Sequence, residues 1–248
     1  MIVLYIIMAL IAYAIGSISS SVIVTKKLAG FDVREKGSGN AGSTNVLRTA
    51  GKKAALITLV CDILKGVVAV LIAKILGLIF ANSNQALLVE IAGLAVVVGH
   101  TFPIFFGFKG GKGVATSLGI LLIVNLKIGL ICLIFALALM VLTRWVSLGS
   151  ISAAVLFAVL AIFIHDGYIV EYSLSFVIFA ILLAAFVIYN HRSNVVRIMN
   201  GTENRLDFSK FKKEPENPVD GEGESKENPE DGKEKEEVPE EETENKEN

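Results

Sequence analysis

Long apolar stretches, separated by short polar connections, organise the chain up to about residue 207. They predict membrane-spanning helices near residues 2–24, 54–80, 86–99, 114–143, 146–164 and 172–189. A spanning helix needs about 20 apolar residues, so the fourth stretch is too long for one helix and short for two. Asn125-Leu126-Lys127 interrupts it. We expect a hairpin there, since two crossings keep Lys112 and Arg144 on one side of the membrane. The pattern therefore predicts an all-α polytopic membrane protein with seven transmembrane helices.

Basic residues set the predicted orientation. Seven lysines and arginines lie between residues 26 and 53, directly after the first apolar stretch. Such clusters stay in the cytoplasm, which puts the N-terminus outside and, after seven crossings, the C-terminus inside. The remaining polar segments of the same parity then also face the cytoplasm. We therefore expect a multi-pass protein of the inner (cytoplasmic) membrane.

Charge divides the chain into two parts. The overall net charge is −1, but residues 1–213 carry a net +11 and residues 214–248 a net −12. The acidic end has almost no large apolar residues, so it cannot bury a core. We expect a transmembrane domain at 1–207 and a disordered acidic tail at 208–248.

Asp62, Lys65 and Glu90 are charged residues inside the apolar stretches. Asp62 and Lys65 are three positions apart, so in a helix they share a face. We interpret them as an intrahelical pair, with support of a functional site as the alternative. Glu90 is expected to be solvated near the outer end of its helix.

The first polar block is 36–48, Lys-Gly-Ser-Gly-Asn-Ala-Gly-Ser-Thr-Asn-Val-Leu-Arg. Its glycines allow positive φ and close approach to a ligand. Its serines, threonine and asparagines supply short hydrogen-bonding groups, and Arg48 supplies a planar fork suited to phosphate. Alone, such a block is either an anion site or a polar connection between helices.

The second block ends in Gly110-Gly111-Lys112-Gly113, directly before a predicted helix. Free amides at a helix start, together with a lysine, suit a phosphate group. The spacing does not match a Walker A loop. The run therefore predicts an anion site without a nucleotide motif.

The third block, 190–205, begins Asn-His-Arg-Ser-Asn. His191 and Asn194 are three apart and point the same way in a helix. Arg192 and Arg197 either join an anion site or anchor the inner face to anionic lipid.

Other chemistries lack a pattern. The chain has three histidines and no ligand spacing for a metal ion. There is no Gly-x-Ser-x-Gly nucleophile elbow and no His-x-x-x-x-Asp dyad. We expect no metal, no cofactor and no nucleic-acid partner.

The three blocks together resemble the cytoplasmic motifs of the bacterial acyl-phosphate:glycerol-3-phosphate acyltransferase family (PlsY). The matching stretches are 37–48, 99–116 and 191–203, in the same order and between helices, and the resemblance covers about residues 1–206. The chain departs from the family pattern at Ala41 and Ser19, where proline is usual, and at Ser43, where alanine is usual.

The resemblance implies transfer of an acyl group from fatty acyl phosphate to the sn-1 hydroxyl of glycerol 3-phosphate. The products are lysophosphatidic acid and inorganic phosphate. It implies catalytic roles for His191, Asn194 and Ser38, with Ser38 also contacting phosphate, and a supporting role for Glu203. The implied substrate-binding residues are Arg48, Lys112, Gly110, Gly111, Gly113, Asn40, Thr44 and Asn45. Whether a side chain acts as general base stays open, with His191 and the departing phosphate as alternatives.

Two other functions fit the composition. One is a transporter of a small phosphorylated anion, although transporters usually place polar groups along a path through the bilayer and often carry internal repeats. The other is a scaffold whose basic loops bind anionic headgroups. Neither requires three different blocks rich in glycine and asparagine.

Overall fold

The computed structural model describes residues 1–80, 85–163 and 174–206, which belong to one compact unit. These residues form nine α-helices, joined by loops and two short 3₁₀ turns. The helices are α1 Ile2–Gly16, α2 Ser20–Ala29, α3 Ser43–Phe80, α4 Gln85–Thr101, α5 Val114–Val124, α6 Leu126–Thr143, α7 Val146–Phe163, α8 Leu174–Asn190 and α9 Arg192–Met199. α3 is kinked at Gly51, whose backbone is not helical (φ +82°). The all-helical fold class is as predicted.

The first predicted span is one candidate span, Ile2–Ala29, that contains two helices. α1 ends at Gly16 and α2 starts at Ser20. Glycines let α1 cross α4 backbone to backbone: a Cβ on Gly16 would lie 2.1 Å from the Val96 carbonyl oxygen, and one on Gly99 would lie 2.2 Å from that of Tyr13. Small residues at this crossing therefore permit close helix packing.

The stretch 114–143 is divided as the hairpin prediction required. α5 ends before Asn125, whose side chain accepts a hydrogen bond from the Ile128 amide at 3.0 Å and so caps α6. A Cβ on Gly129 would lie 3.1 Å from the Leu121 carbonyl carbon, so the two helices pack tightly beside the break. An interruption of the helix and a side-chain cap, both at Asn125, explain why one long helix does not form.

Among the described residues, five helical segments are long and apolar enough to span a membrane, and α8 with α9, bent by 59°, makes a sixth. α5 is apolar but has only 11 residues. Seven spans and their orientation therefore stay a prediction. The predicted tail at 208–248 and the connections at 81–84 and 164–173 lie outside the described residues.

Asp62, Lys65 and Glu90 are all buried. Lys65 Nζ lies 2.9 Å from Asp62 Oδ1, which confirms the predicted intrahelical pair. The prediction for Glu90 is wrong: its side chain is only 5% exposed and accepts a hydrogen bond from Ser175 Oγ at 3.1 Å. The reason is tertiary, because α8 brings a hydroxyl group opposite this carboxyl.

Two hydrophobic clusters support the fold. The larger one fills the bundle and includes Phe157, which meets Phe179 edge to face at 6.3 Å. The smaller one, with Val22, Val33 and Val46 fully buried, lies beneath the first polar block. The glycine-rich loop therefore rests on its own apolar base.

Candidate active site

The first and second polar blocks are joined to each other. The Ala41 amide donates to the Gly110 carbonyl at 3.3 Å, and Arg34 Nη1 donates to the Phe106 carbonyl at 2.6 Å. Asp32 holds Arg34 through two side-chain hydrogen bonds, which lower the pKa of Asp32 to about 2. The two loops are therefore held together on one side of the candidate site.

Asn45 organises the first loop from beneath. Its Nδ2 donates to the carbonyls of Val33, Lys36 and Asn40 at 3.0–3.1 Å, and its Oδ1 accepts from the Ser38 amide at 2.9 Å. The side chain is 2% exposed, so these backbone contacts use its hydrogen-bonding capacity.

The second loop uses part of its predicted anion cradle for its own fold. The amides of Gly110 and Gly111 donate to the carbonyls of Thr101 and His100 at 3.0 and 3.1 Å. Those of Lys112 and Gly113 make no backbone hydrogen bond within the described ranges. Gly113, at φ +86°, starts α5, so the free amides of the cradle lie at this helix start.

Lys112 connects the second block to the third. Its Nζ donates to Asn194 Oδ1, and Asn194 Nδ2 donates to Glu203 Oε1 at 2.8 Å. Asn194 is 6% exposed and Lys112 half-buried. Burial, reinforced by the charge on Arg197, lowers the pKa of Lys112 to about 8.

Glu203 is the centre of the third block. Its Oε1 also accepts from Ser147 Oγ at 2.7 Å, and its Oε2 accepts from Arg197 Nε at 2.9 Å. Burial opposes ionisation, but the hydrogen bonds from Asn194, Ser147 and Arg197 outweigh it and lower the pKa of Glu203. Both carboxylate oxygens are therefore engaged by side chains of the protein.

Two residues of this cluster gain a defined place from the structure. Ser147, at the start of α7, was missed by sequence analysis because one serine at a helix start matches no motif. Arg197 faces Glu203 and therefore the site, whereas Arg192 is exposed, with its guanidinium 4.6 Å from the Tyr189 ring centre. Of the two, Arg192 fits a lipid anchor.

Arg48 brings the first block into the same cluster. It is exposed, and its charge interacts with those of Glu203 and Arg197. Lys112 interacts with all three. One group from each polar block therefore contributes to a single charged surface.

His191 lies buried in the break between α8 and α9. Its Nδ1 is 2.8 Å from the Val187 carbonyl, which can only accept, so Nδ1 carries the proton and Nε2 presents a lone pair. Burial lowers the pKa of His191 to about 4. The ring is therefore neutral near pH 7.

The other predicted site residues lie in the first loop. Ser38 is exposed, and its hydroxyl has no hydrogen bond to another described residue. Asn40 and Thr44 are half-buried. No cluster of His, Cys, Asp and Glu among the described residues could hold a metal ion.

Comparisons with known proteins agree on one family. A family model described as glycerol-3-phosphate acyltransferase matches residues 6–201. The glycerol-3-phosphate acyltransferase of Clostridioides difficile (strain 630) is 46% identical over 202 residues, which cover 82% of this chain and 95% of the relative. That of Thermoanaerobacter sp. (strain X514) is 47% identical over 199 residues, covering 80% and 93%.

Two solved structures show the same fold. Both are crystal structures of PlsY, an integral membrane glycerol 3-phosphate acyltransferase. Its glycerol 3-phosphate form has a TM-score of 0.73 at 36% identity, covering 84% of this chain and 98% of that one. Its lysophosphatidic acid form has a TM-score of 0.70 at 35% identity, covering 83% and 97%. The chain therefore belongs to the glycerol-3-phosphate acyltransferase family of integral membrane enzymes.

Proposed function

We propose that the chain transfers a fatty acyl group from acyl phosphate to the sn-1 hydroxyl of glycerol 3-phosphate. The observation that carries this proposal is the hydrogen-bonded chain from Lys112 through Asn194 to Glu203, which joins two polar blocks at one anion-binding surface. The ligands named for the solved PlsY structures, glycerol 3-phosphate and lysophosphatidic acid, support the acceptor and the product. Both substrates carry phosphate, which suits a basic, glycine-rich surface.

We assign the roles as follows. Arg48, Lys112 and Ser38 bind phosphate oxygens, assisted by the amides at the start of α5. His191 and Asn194 orient glycerol 3-phosphate and its attacking hydroxyl. The remaining assigned residues support this arrangement: Asn40, Thr44 and Asn45 in the first loop, Gly110, Gly111 and Gly113 in the second, and Glu203 behind Asn194.

The reaction needs no covalent enzyme intermediate. The sn-1 hydroxyl oxygen attacks the carbonyl carbon of the acyl phosphate, and the tetrahedral species collapses by breaking the bond from that carbon to the phosphate oxygen. Inorganic phosphate departs with the bonding electrons. The cationic groups stabilise the negative charge that develops on the carbonyl and phosphate oxygens.

The hydroxyl proton goes to the departing phosphate. His191 Nε2 can accept a hydrogen bond from the hydroxyl, but a pKa of about 4 makes it a weak final acceptor. The phosphate leaves with the electron pair of the broken bond, and this added negative charge makes it a stronger base than a phosphate monoester, whose second pKa is near 6. His191 therefore orients the nucleophile, and the leaving group takes the proton.

We further propose seven crossings, with the N-terminus outside and the site facing the cytoplasm. The basic residues of the first connection support this orientation. Cysteine labelling of an Asn200→Cys variant in intact cells and in inverted vesicles tests it. Labelling from outside intact cells would contradict the proposed orientation.

The activity test uses purified protein in lipid nanodiscs with palmitoyl phosphate and glycerol 3-phosphate. We expect one lysophosphatidic acid for each phosphate released, measured by mass spectrometry and a phosphate assay. Palmitoyl-CoA in place of palmitoyl phosphate tests the donor. Arg48→Gln should lose most activity, and the matched control Arg192→Gln should keep it. If the protein acylated glycerol 3-phosphate with palmitoyl-CoA but not with palmitoyl phosphate, the donor assignment would be wrong.

A further inference from the structure

Three ionisable side chains lie buried close to the Lys112 loop, and the proposed mechanism uses none of them. Asp62 is 2% exposed, and Lys65 and His100 are each 7% exposed. Lys65 Nζ lies 2.9 Å from Asp62 Oδ1 and donates to the Ile18 carbonyl at 3.0 Å. His100 Nδ1 lies 3.5 Å from the same Asp62 oxygen. The three side chains form one buried cluster between α3, α4 and the start of α2.

Stability alone does not explain such a cluster. Charged groups within membrane-spanning helices are costly to bury. A buried ion pair is often no more stabilising than apolar side chains of similar volume. A positional requirement on a neighbouring group would explain why charged side chains stand here.

His100 contacts the second loop in two ways. Its carbonyl accepts from the Gly111 amide at 3.1 Å. Its ring occupies the space beside Gly111, where a Cβ would lie 2.2 Å from Nε2 and 3.0 Å from the Ala41 carbonyl oxygen. The imidazole therefore fixes how closely the loop approaches α4, one residue before Lys112.

We propose that Asp62, Lys65 and His100 are positioning residues for Lys112. Asp62, itself held by Lys65, fixes the imidazole of His100. The imidazole sets the position of Gly111 and thereby of the Lys112 ammonium group beside Asn194. This proposal rests on the proposed function, because it acts through the phosphate-binding role of Lys112.

A double-mutant cycle between His100 and Gly111 tests the contact. Gly111→Ala should raise the KM for glycerol 3-phosphate by about 100-fold, since a small displacement of a binding group has effects of that size. Adding His100→Ala removes the ring that the new methyl group meets. The double variant should then have a KM at least about tenfold lower than the product of the single effects predicts.

Gly107 supplies the matched control in the same loop. A Cβ there meets nothing within 4 Å. Gly107→Ala should combine additively with His100→Ala. Equal coupling of both glycines to His100, or additivity at Gly111, would overturn the contact assignment.

The charged pair is tested by replacing both members. Asp62→Leu with Lys65→Met leaves no unpaired charge, so the variant should unfold near the wild-type temperature. Its KM for glycerol 3-phosphate should still rise about tenfold or more, with a much smaller change in kcat. A well-folded double variant with wild-type KM would overturn the positioning role. If this variant does not fold, the His100–Gly111 cycle decides.

The wild-type rate separates this proposal from the one it rests on. An inactive wild-type protein would contradict the proposed function. An active wild type with additive His100 and Gly111 effects would contradict only the positioning role.

Discussion

Asn194→Asp is the sharpest single test of the hydrogen-bonded chain. The replacement has nearly the same shape, so it changes the chemistry and leaves the packing. Oδ1 can still accept from Lys112. The former Nδ2 becomes a carboxylate oxygen that faces Glu203 Oε1 across 2.8 Å, where a donor now stands.

The size of the effect follows from this distance. Two full charges about 2.8 Å apart repel by about 6 kcal/mol at an effective dielectric constant near 20. Adding a proton to a carboxyl with a pKa of about 3.9 costs about 4 kcal/mol at pH 7. Protonation is cheaper and therefore sets the cost. The protonated carboxyl of the variant accepts from Lys112 as the Asn194 amide does, so this contact offsets none of the cost. The net loss of about 4 kcal/mol corresponds to about 1,000-fold in kcat/KM.

The pH dependence identifies the cause. The cost of protonation falls by about 1.4 kcal/mol for each pH unit. The activity of the variant relative to wild type should therefore recover about tenfold per unit from pH 7 toward pH 5.5. The assay is lysophosphatidic acid formation in nanodiscs, with wild type measured at each pH.

Asn200→Asp is the matched control, because it adds the same charge at an exposed position in the same block. We expect it to stay within a few-fold of wild type at every pH. Two results for Asn194→Asp would refute the reasoning. One is activity near wild type at pH 7, and the other is a loss that does not lessen on acidification.

Three further predictions follow from individual contacts. Since the pKa of Lys112 is about 8, wild-type kcat/KM should fall as pH rises through about 8. The kcat/KM of Lys112→Arg should not fall over the same pH range, because arginine stays protonated. Gly113→Ala should lower the unfolding temperature in detergent more than Gly107→Ala: both have positive φ, but only at Gly113 would a Cβ meet Val97 Cγ1, at 2.6 Å. Asn45→Ala should cost about 3 kcal/mol of stability and expose the first loop to protease; unchanged cleavage rates would contradict its organising role.

The helices were predictable because a membrane imposes a length and a composition on every span. The break at Asn125 was predictable for the same reason, since 114–143 is too long for one crossing and too polar at its centre. Helix ends were less predictable. α1 ends at Gly16, eight residues before the end of the first apolar stretch, 2–24. The apolar pattern continues into α2, and it does not encode the interruption of the helix at residues 17–19.

Sequence analysis could name candidate site residues but not the contacts between them. Lys112 and Asn194 stand 82 positions apart, and no local spacing connects them. Glu90 and Glu203 each accept a hydrogen bond from a hydroxyl on a distant helix, Ser175 on α8 and Ser147 on α7, so their burial depends on how the helices pack. Resemblance supplied the residues, and packing supplied their partners.

The glycine-rich second loop shows where local interpretation fails. Seen alone, four consecutive small or basic residues predict four amides free for phosphate. Two of them are used because the loop folds back on the end of α4, at Gly110 and Gly111. These glycines are needed for close approach to the protein itself: a Cβ on Gly110 would lie 2.0 Å from the His100 carbonyl oxygen.

Charge balance connects the cluster to the proposed reaction. Arg48, Lys112 and Arg197 are cationic, Glu203 is anionic and His191 is neutral, so the cluster carries a net +2 near pH 7. One phosphate dianion neutralises it, and the two substrates bring two. We take the phosphate of glycerol 3-phosphate as the first. The phosphate of the acyl donor is then the second and is held with less charge compensation, and transfer of the acyl group releases it as free inorganic phosphate. Because the acyl product keeps the first phosphate, we expect inorganic phosphate to leave before lysophosphatidic acid. We expect the inhibition constant of inorganic phosphate to be larger than that of lysophosphatidic acid. A smaller inhibition constant for phosphate would contradict this assignment of charge.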